Sequence, residues 1–468
     1  MRDEARVTQY AIRDTRYAIS ILGIIVIAYL AIAVQYAVRT PAWQVPDEPA
    51  HYNYVRTIVE NRTLPVLNFD DYDQKFNERF TDPANTPHLS IDPLRYEFHQ
   101  PPLYYLLAAP IYAITGGNLL TLRLVSVAFG GALIVVAFLI VREITPDRPE
   151  LALGTAAFVA FVPQHIAMMA GVNNDSLAEL LLALILFQTL RVLRLRGEGE
   201  LKDLFALGVL LGLGLLTKTT DYLAMPVIVV ALLLRAYRLS PIAYRLSPIV
   251  DPPSSSVTRH SSLVTRHLSL VFVPALLLGS LWWLRNLGAY GGFDILGLAR
   301  HNAVVVGQPL TSDWIARMEF GPFLLSALTT TFHSFWGQFG WMGVPMPDWV
   351  YLGLGALSIA AVVGWLWTLR TNQPTNKPTN YFAILLLLLV LFSFAAYIWY
   401  NLTFVQHQGR YLFPALIPLG LVFSIGIGHW ASLLPRPIGV AVFVAVFAGL
   451  TALDMYALYR FIIPSLSA

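Results

Sequence analysis

The sequence predicts an all-α, polytopic membrane protein of about eleven transmembrane helices, with bounds of about nine and about thirteen. Three observations carry that reading. Of 468 residues, 56% are hydrophobic and only 13% are charged, about half the charged fraction of a soluble domain. Apolar runs long enough to cross a bilayer recur along the whole chain. The loops between them alternate in basic content, as the positive-inside rule requires of a fixed orientation. The net charge of +3 says little, because the sign of each loop matters more than the sum. Cysteine is absent, which excludes disulfides, cysteine metal sites and thiol catalysis.

Residues 1–16 are polar, and Arg2, Arg6, Arg13 and Arg16 flank the first apolar run, 17–38. That run is too long for a signal-peptide core and lacks a small-residue cleavage signature. It is expected to be a retained span with a cytoplasmic N-terminus. Residues 39–121 then form a large first extracytoplasmic loop with ten Asp or Glu residues. Within it, 101–115 is apolar but only 15 residues long and opens on Pro101-Pro102. An interfacial or re-entrant helix is expected there rather than a crossing.

Further spans are expected at 122–141, 151–170, 176–192, 203–217, 222–237, 268–286, 348–369, 381–400, 411–430 and 437–458. With 101–115 outside, this parity places fourteen basic residues between Arg142 and Arg436 in cytoplasmic loops; counting 101–115 as a span would export most of them. Two cytoplasmic linkers, 238–266 and 370–380, read as low-complexity sequence. The first repeats its Tyr237 hexapeptide at Tyr244 and its Val257 tetrapeptide at Val264, and the second is built from Pro, Thr and Asn. Residues 287–347 form a second extracytoplasmic segment. No solenoid period or separate soluble domain is evident, so 1–468 reads as one transmembrane domain.

Val45-Pro46-Asp47-Glu48-Pro49-Ala50-His51-Tyr52 sets two adjacent carboxylates where the chain leaves the first span. Pro49 suits the first turn of a helix, and His51, Tyr54, Val55, Ile58 and Val59 follow at helical spacing. A short amphipathic helix along the membrane surface is expected, with Asp47 or Glu48 at its N-terminus. A plain N-cap would account for one such acid. The location of the pair, at the bilayer edge before a long non-spanning loop, points to chemistry.

The same parity collects further polar groups at the outer mouths of spans: His99 and Gln100; Asn173, Asn174 and Asp175; Lys218 and Asp221; Arg285 and Asn286; and His407, Gln408 and Arg410. Such residues usually face a protein interior or a wet cavity. Lys218 and Arg285 also fit the pattern of cations that snorkel to headgroups. Arg410 lies in Gln406-His407-Gln408-Gly409-Arg410-Tyr411, where a glycine permits close backbone approach and a guanidinium could hold a phosphate bidentately. Asn173 to Ser176 would serve equally as a helix cap. A divalent metal, held by His99, Asp47 and Glu48, is the only cofactor these residues suggest, and no helical His spacing of a zinc motif accompanies them. Trp282 and Trp283 read as an interfacial belt, and the aromatics from Phe332 to Trp349 as belt or as lining of an acceptor cleft. No P-loop, dinucleotide fingerprint or serine elbow is present, and nothing supports nucleic-acid binding.

Four stretches resemble the GT-C superfamily of membrane glycosyltransferases: Pro46-Asp47-Glu48-Pro49-Ala50-His51-Tyr52, the nine residues from His99 to Leu107, Leu215 to Lys218, and Gly409 to Pro414. The nearest flavour is the protein O-mannosyltransferase and lipid A aminoarabinose transferase branch. Where many relatives carry Lys or His directly before the Pro-Pro, this chain has Gln100, with His99 one step back. The resemblance implies hexosyl or pentosyl transfer from a polyprenyl-phosphate donor to a glycan, lipid or protein acceptor on the outer face of a bacterial inner membrane. It implies Asp47 as base, with Glu48 beside it. Such chemistry needs a base for the acceptor hydroxyl and a cation for the departing phosphate. Arg410 is expected to be that cation, with Lys218 and Arg285 behind it. His99, Gln100, Asn174, Asp175 and Tyr411 are expected to complete the substrate site, and inversion is expected at the anomeric carbon. The competing readings are a lipid-linked glycan flippase or other transporter, a polysaccharide ligase or polymerase, and a catalytically dead scaffold. A transporter would carry midplane charges and internal symmetry, whereas here the span interiors read as nearly charge-free.

Overall fold

A computed structural model describes residues 2–194, 200–246, 253–371 and 379–467. Among these, nine helices are long and apolar enough to cross a membrane: Arg16–Arg39, Leu119–Ile144, Asp175–Arg194, Thr219–Tyr237, Val264–Tyr290, Asp348–Thr371, Asn380–Asn401, Gly409–Ser432 and Arg436–Leu466. A bent pair, Pro149–Ala160 and Pro163–Met169, makes a tenth if counted as one span. The protein is an all-α polytopic membrane protein, and the described strands are a two-stranded hairpin of Gln338–Phe339 and Val344–Pro345.

Two expected spans differ in form. The 151–170 segment is broken by 64° ahead of Pro163, because proline supplies no backbone N–H and disfavours helix at the residue before it. The broken end is repaired by a side chain, as His165 Nδ1 lies 2.7 Å from the carbonyl of Val159. The 203–217 segment is the helix Glu200–Leu215, only sixteen residues long. The apolar 101–115 segment is the thirteen-residue helix Leu103–Thr115, too short to cross. Of the two linkers, 247–252 and 372–378 lie outside the described residues. The rest of 238–266 is helical, since Ala224–Leu246 and Pro253–Tyr290 run on well past their apolar cores.

Helices pack closely where small residues meet. A Cβ placed on Gly426 would lie 1.8 Å from the carbonyl oxygen of Ala361, so Gly409–Ser432 and Asp348–Thr371 touch backbone to backbone. The outward faces carry exposed Ile24, Ile27, Leu277, Leu281, Leu352 and Ile359, the surface a bilayer would cover.

The first loop has its own aromatic core. Glu48–Asn61 packs on Leu103–Thr115 through buried Tyr54, Tyr104 and Tyr105, and Tyr54 stacks on Tyr105 at 3.7 Å. The 287–347 segment is sewn to the end of Asn380–Asn401. Val405 N–H donates to the Pro309 carbonyl at 2.9 Å and Thr311 N–H to the Thr403 carbonyl at 3.0 Å. Three stretches distant in sequence are thereby held over the end of the first span.

Candidate active site

Asp47 stands at the N-terminus of Glu48–Asn61 with φ +66° and makes no capping hydrogen bond. Its carboxylate turns instead into a cleft. Oδ2 accepts from Arg410 Nη2 at 2.7 Å and Oδ1 from the Tyr96 hydroxyl at 3.0 Å. Burial alone would raise the Asp47 pKa. Arg410, followed by His51, outweighs that and holds the carboxyl below its usual range.

Glu48, one residue on, has a different environment. It is fully buried in a fork-to-fork pair with Arg123, with Nε–Oε1 and Nη2–Oε2 both 2.7 Å. The amides of Trp43 and Val172 also donate to it, each at 3.1 Å. The remaining Arg123 donors reach the carbonyls of Ala37, Thr40 and Pro41, so the guanidinium is fully used. This pair ties the end of the first span to Leu119–Ile144 and sets where Asp47 can point.

Arg410 begins the Gly409–Ser432 segment. Gly409 lies so close to Phe320–Trp336 that a Cβ there would be 2.3 Å from the Phe335 nitrogen and 2.4 Å from the Thr331 carbonyl oxygen. Besides Asp47, Arg410 donates from Nε to Gln408 Oε1 at 2.7 Å, while Nη1 meets only the Met168 sulfur at 3.9 Å. Tyr411 lies under the guanidinium, 5.5 Å from ring centroid to Cζ. Beside this pair sits a second one, Lys218 Nζ with Asp175 Oδ1. Lys218 lies within electrostatic reach of Asp175, Glu97 and Arg410, and Glu97 within that of His51.

The cleft over Asp47 has a volume of about 210 Å³ and is lined by Tyr96, Glu97, His301, Trp341, Tyr400 and Gln406 among others. Glu97 was not singled out by the sequence. Burial raises its pKa against the pull of His51, and its Oε2 is buried without a partner. Burial lowers the His301 pKa, so this ring is neutral at pH 7.

The remaining expected residues are distributed as follows. Gln100 Oε1 accepts from Asn174 Nδ2 at 3.3 Å, and Asn174 also bonds the Thr217 carbonyl. The two amides join the start of Asp175–Arg194 to the Pro101-Pro102 segment. His99 is buried, with Nδ1 3.0 Å from the Tyr96 carbonyl and its ring 4.4 Å from that of His301. Burial, then the neighbouring His301, drives its pKa well below 6.5, so it presents no cation at neutral pH. Arg285 lies outside the Asp47 cleft. It is occupied by the Pro65 carbonyl, Asn286 and the rings of Trp282 and Tyr290. Asp47, Glu48 and His99 face three different ways, and among the described residues no group of three or more His, Asp or Glu is placed to hold a metal.

The spans are also less charge-free than the sequence reading expected. Arg123, Glu179, Asp221 and Asp454 are all buried or nearly so within spans. Arg123 is matched by Glu48 and Glu179 by His165 at 3.0 Å, while both carboxylate oxygens of Asp221 and of Asp454 lack a hydrogen-bond partner. Asp454 stands alone in a long apolar run, so hydropathy averages conceal it.

Sequence comparison finds a family described as dolichyl-phosphate-mannose-protein mannosyltransferase matching residues 99–249. No curated protein matches the chain. Two structures of the Archaeoglobus fulgidus oligosaccharyltransferase share its fold. One is tethered to an acceptor peptide containing an NVT sequon, at 15% identity, covering 96% of this chain and 55% of that one, with TM-score 0.50. The other, AglB, is in complex with an inhibitory peptide and a dolichol-phosphate, at 14% identity, with coverages of 97% and 56% and TM-score 0.51. The chain thus spans just over half the length of these proteins. ArnT from Cupriavidus metallidurans bound to undecaprenyl phosphate also matches, at 14% identity over 97% of this chain and 74% of that one, with TM-score 0.48. The family match covers less than half of this chain, and the likeness to the two oligosaccharyltransferase structures is one of fold.

Proposed function

We propose that this GT-C-fold protein moves a sugar from a polyprenyl-phosphate donor to an acceptor hydroxyl on the extracytoplasmic face, by one displacement with inversion. The observation that supports it best is the pairing of Asp47 with Arg410 in the wall of an open cleft. Such a transfer requires a base for the acceptor hydroxyl and a cation for the departing phosphate, and Asp47 and Arg410 supply one of each.

In this reading, Arg410 Nη1, met only by a thioether, receives an oxygen of the donor phosphate, with Lys218 adding positive charge nearby. The acceptor oxygen attacks the anomeric carbon and its proton passes to Asp47. The bond from the anomeric carbon to the phosphate oxygen breaks, and the lipid phosphate leaves carrying the electron pair. A carboxylate held below its usual pKa is ionised but weakly basic. Drawing Arg410 toward the phosphate restores basicity to Asp47 once donor is bound. Tyr96 orients the carboxylate, and Glu48 with Arg123 positions the loop that carries it.

We place the protein in a cell membrane, bacterial inner membrane by the resemblance, with its N-terminus in the cytoplasm. The test is transfer from radiolabelled polyprenyl-phosphate sugars in proteoliposomes. Asp47→Asn should lower the turnover rate by about 10² or more while donor still binds. A covalent glycosyl adduct trapped on Asp47 would overturn single displacement. Lipid movement without transfer would point to a flippase.

A further inference from the structure

The outer wall of the cleft is a ladder of carboxamides anchored on Arg410. Arg410 Nε donates to Gln408 Oε1 at 2.7 Å, Gln408 Nε2 donates to Gln406 Oε1 at 2.7 Å, and Gln406 Nε2 donates to Gln308 Oε1 at 3.4 Å. Because a guanidinium can only donate, the orientation of every amide above it is fixed. The ladder uses one N–H and one lone pair of Gln406 and of Gln408, leaving each amide a further donor and a further acceptor. All three glutamines are half-buried, and the backbone bonds of Pro309 and Thr311 to Val405 and Thr403 hold their two loops in register. The half-buried rings of Trp341, Tyr400 and Tyr411 line the same cleft.

We infer that this wall is the acceptor subsite and that the acceptor is a neutral saccharide, free or as the head of a glycolipid. The inference rests on the glycosyl-transfer reading above and names the acceptor it left open. A sugar hydroxyl both donates and accepts, which matches the paired vacancies of an amide, and the aliphatic face of a pyranose suits an aromatic ring. The charge of the site argues the same way. The cleft lining contains one guanidinium and no lysine, and in the reading above that guanidinium serves Asp47 and the donor phosphate, so the lining offers no second cation for a uronate or a phosphate on the acceptor. An extended peptide recognised by strand addition needs open backbone groups. At this rim the carbonyls of Pro309 and Thr403 are already taken by the N–H groups of Val405 and Thr311.

The experiment is binding of the purified full-length protein to an array of neutral, uronic-acid and phosphorylated glycans and Ser/Thr peptides, followed by titration of the best ligand. Neutral glycans should bind, and Gln406→Ala and Gln308→Ala should each weaken them at least about tenfold. In transfer assays the same variants should raise acceptor KM while leaving kcat and donor KM within about twofold, a split that a folding defect would not give. Neutral head groups that bind only when lipid-linked would support the inference and identify the glycolipid source. Binding confined to acidic glycans or to peptides, or no binding at all, would overturn it. Asp47→Asn separates the two proposals: neutral glycan bound normally with transfer undiminished would refute the base and leave the subsite standing.

Discussion

Asp47 and Glu48 are neighbours in sequence with opposite surroundings, and the difference gives opposite mutational expectations. Glu48 is fully buried and Arg123 nearly so, so removing one partner leaves an unmatched buried charge, at a cost of about 3–5 kcal/mol. Glu48→Gln and Arg123→Met should each lower the yield of monodisperse protein and its Tm by fluorescence-detected size exclusion, and by more than Asp47→Asn does, since Asp47 is 24% exposed. Sequence alone could not separate the two acids, because the discriminating partners lie 75 and 363 residues away. Arg123 itself reads as an end-of-span cation, a type that usually serves lipid headgroups.

Acid stability follows from the same scale. His99 is held neutral in the fold, with a pKa well below its ordinary 6.5. Between those two values the unfolded chain binds a proton that the folded chain does not, so stability falls as pH drops through this window. Asp47 works lower down. Its contribution is complete above the ordinary 3.8 and is lost as pH falls through its depressed folded value. Thermal shifts from pH 7.5 to 5.5 should therefore show a falling Tm in wild type and a flatter profile in His99→Gln. Equal slopes would remove His99 as the source.

Among the elements, apolar length and parity predicted most helices, including a non-spanning one at Leu103–Thr115. They did not predict the break at Pro163, because the run 151–170 is apolar throughout and a proline can be kinked through or can end a helix. What decided it is tertiary: His165 bonds both the Val159 carbonyl and Glu179, and the second piece delivers Met168 to Arg410. The turn before Arg410 makes an element-level prediction. Gly409→Ala would place a methyl 2.3 Å from the Phe335 nitrogen, forcing the 406–411 segment off Phe320–Trp336 and moving Arg410 with it. Displacements of this kind cost an order of magnitude or more in rate. Transfer by Gly409→Ala should fall at least about tenfold, whereas Gly449→Ala, which meets nothing within 4 Å, should match wild type.

At the scale of the molecule, the cleft draws on residues 46–47, 72–97, 301–309, 341–342 and 400–411. Parity could assign these segments to one side of the membrane, and the motifs could nominate Asp47 and Arg410. Neither could show that Gln308 and Gln406 meet, since that contact depends on a bridge between two loops nearly a hundred residues apart. The assignment of sides remains the premise of the whole mechanism, and the chain offers a direct test because it contains no cysteine. Single cysteines can be introduced without a background to subtract. Phe293 is 92% exposed in the segment expected outside, and Asp147 is exposed in a loop expected inside. Phe293→Cys in intact cells should react with a membrane-impermeant maleimide, and Asp147→Cys should react only after permeabilisation. If the pattern were reversed, the Asp47 cleft would open to the cytoplasm, and both the lipid-linked donor and the acceptor would have to be sought on that face.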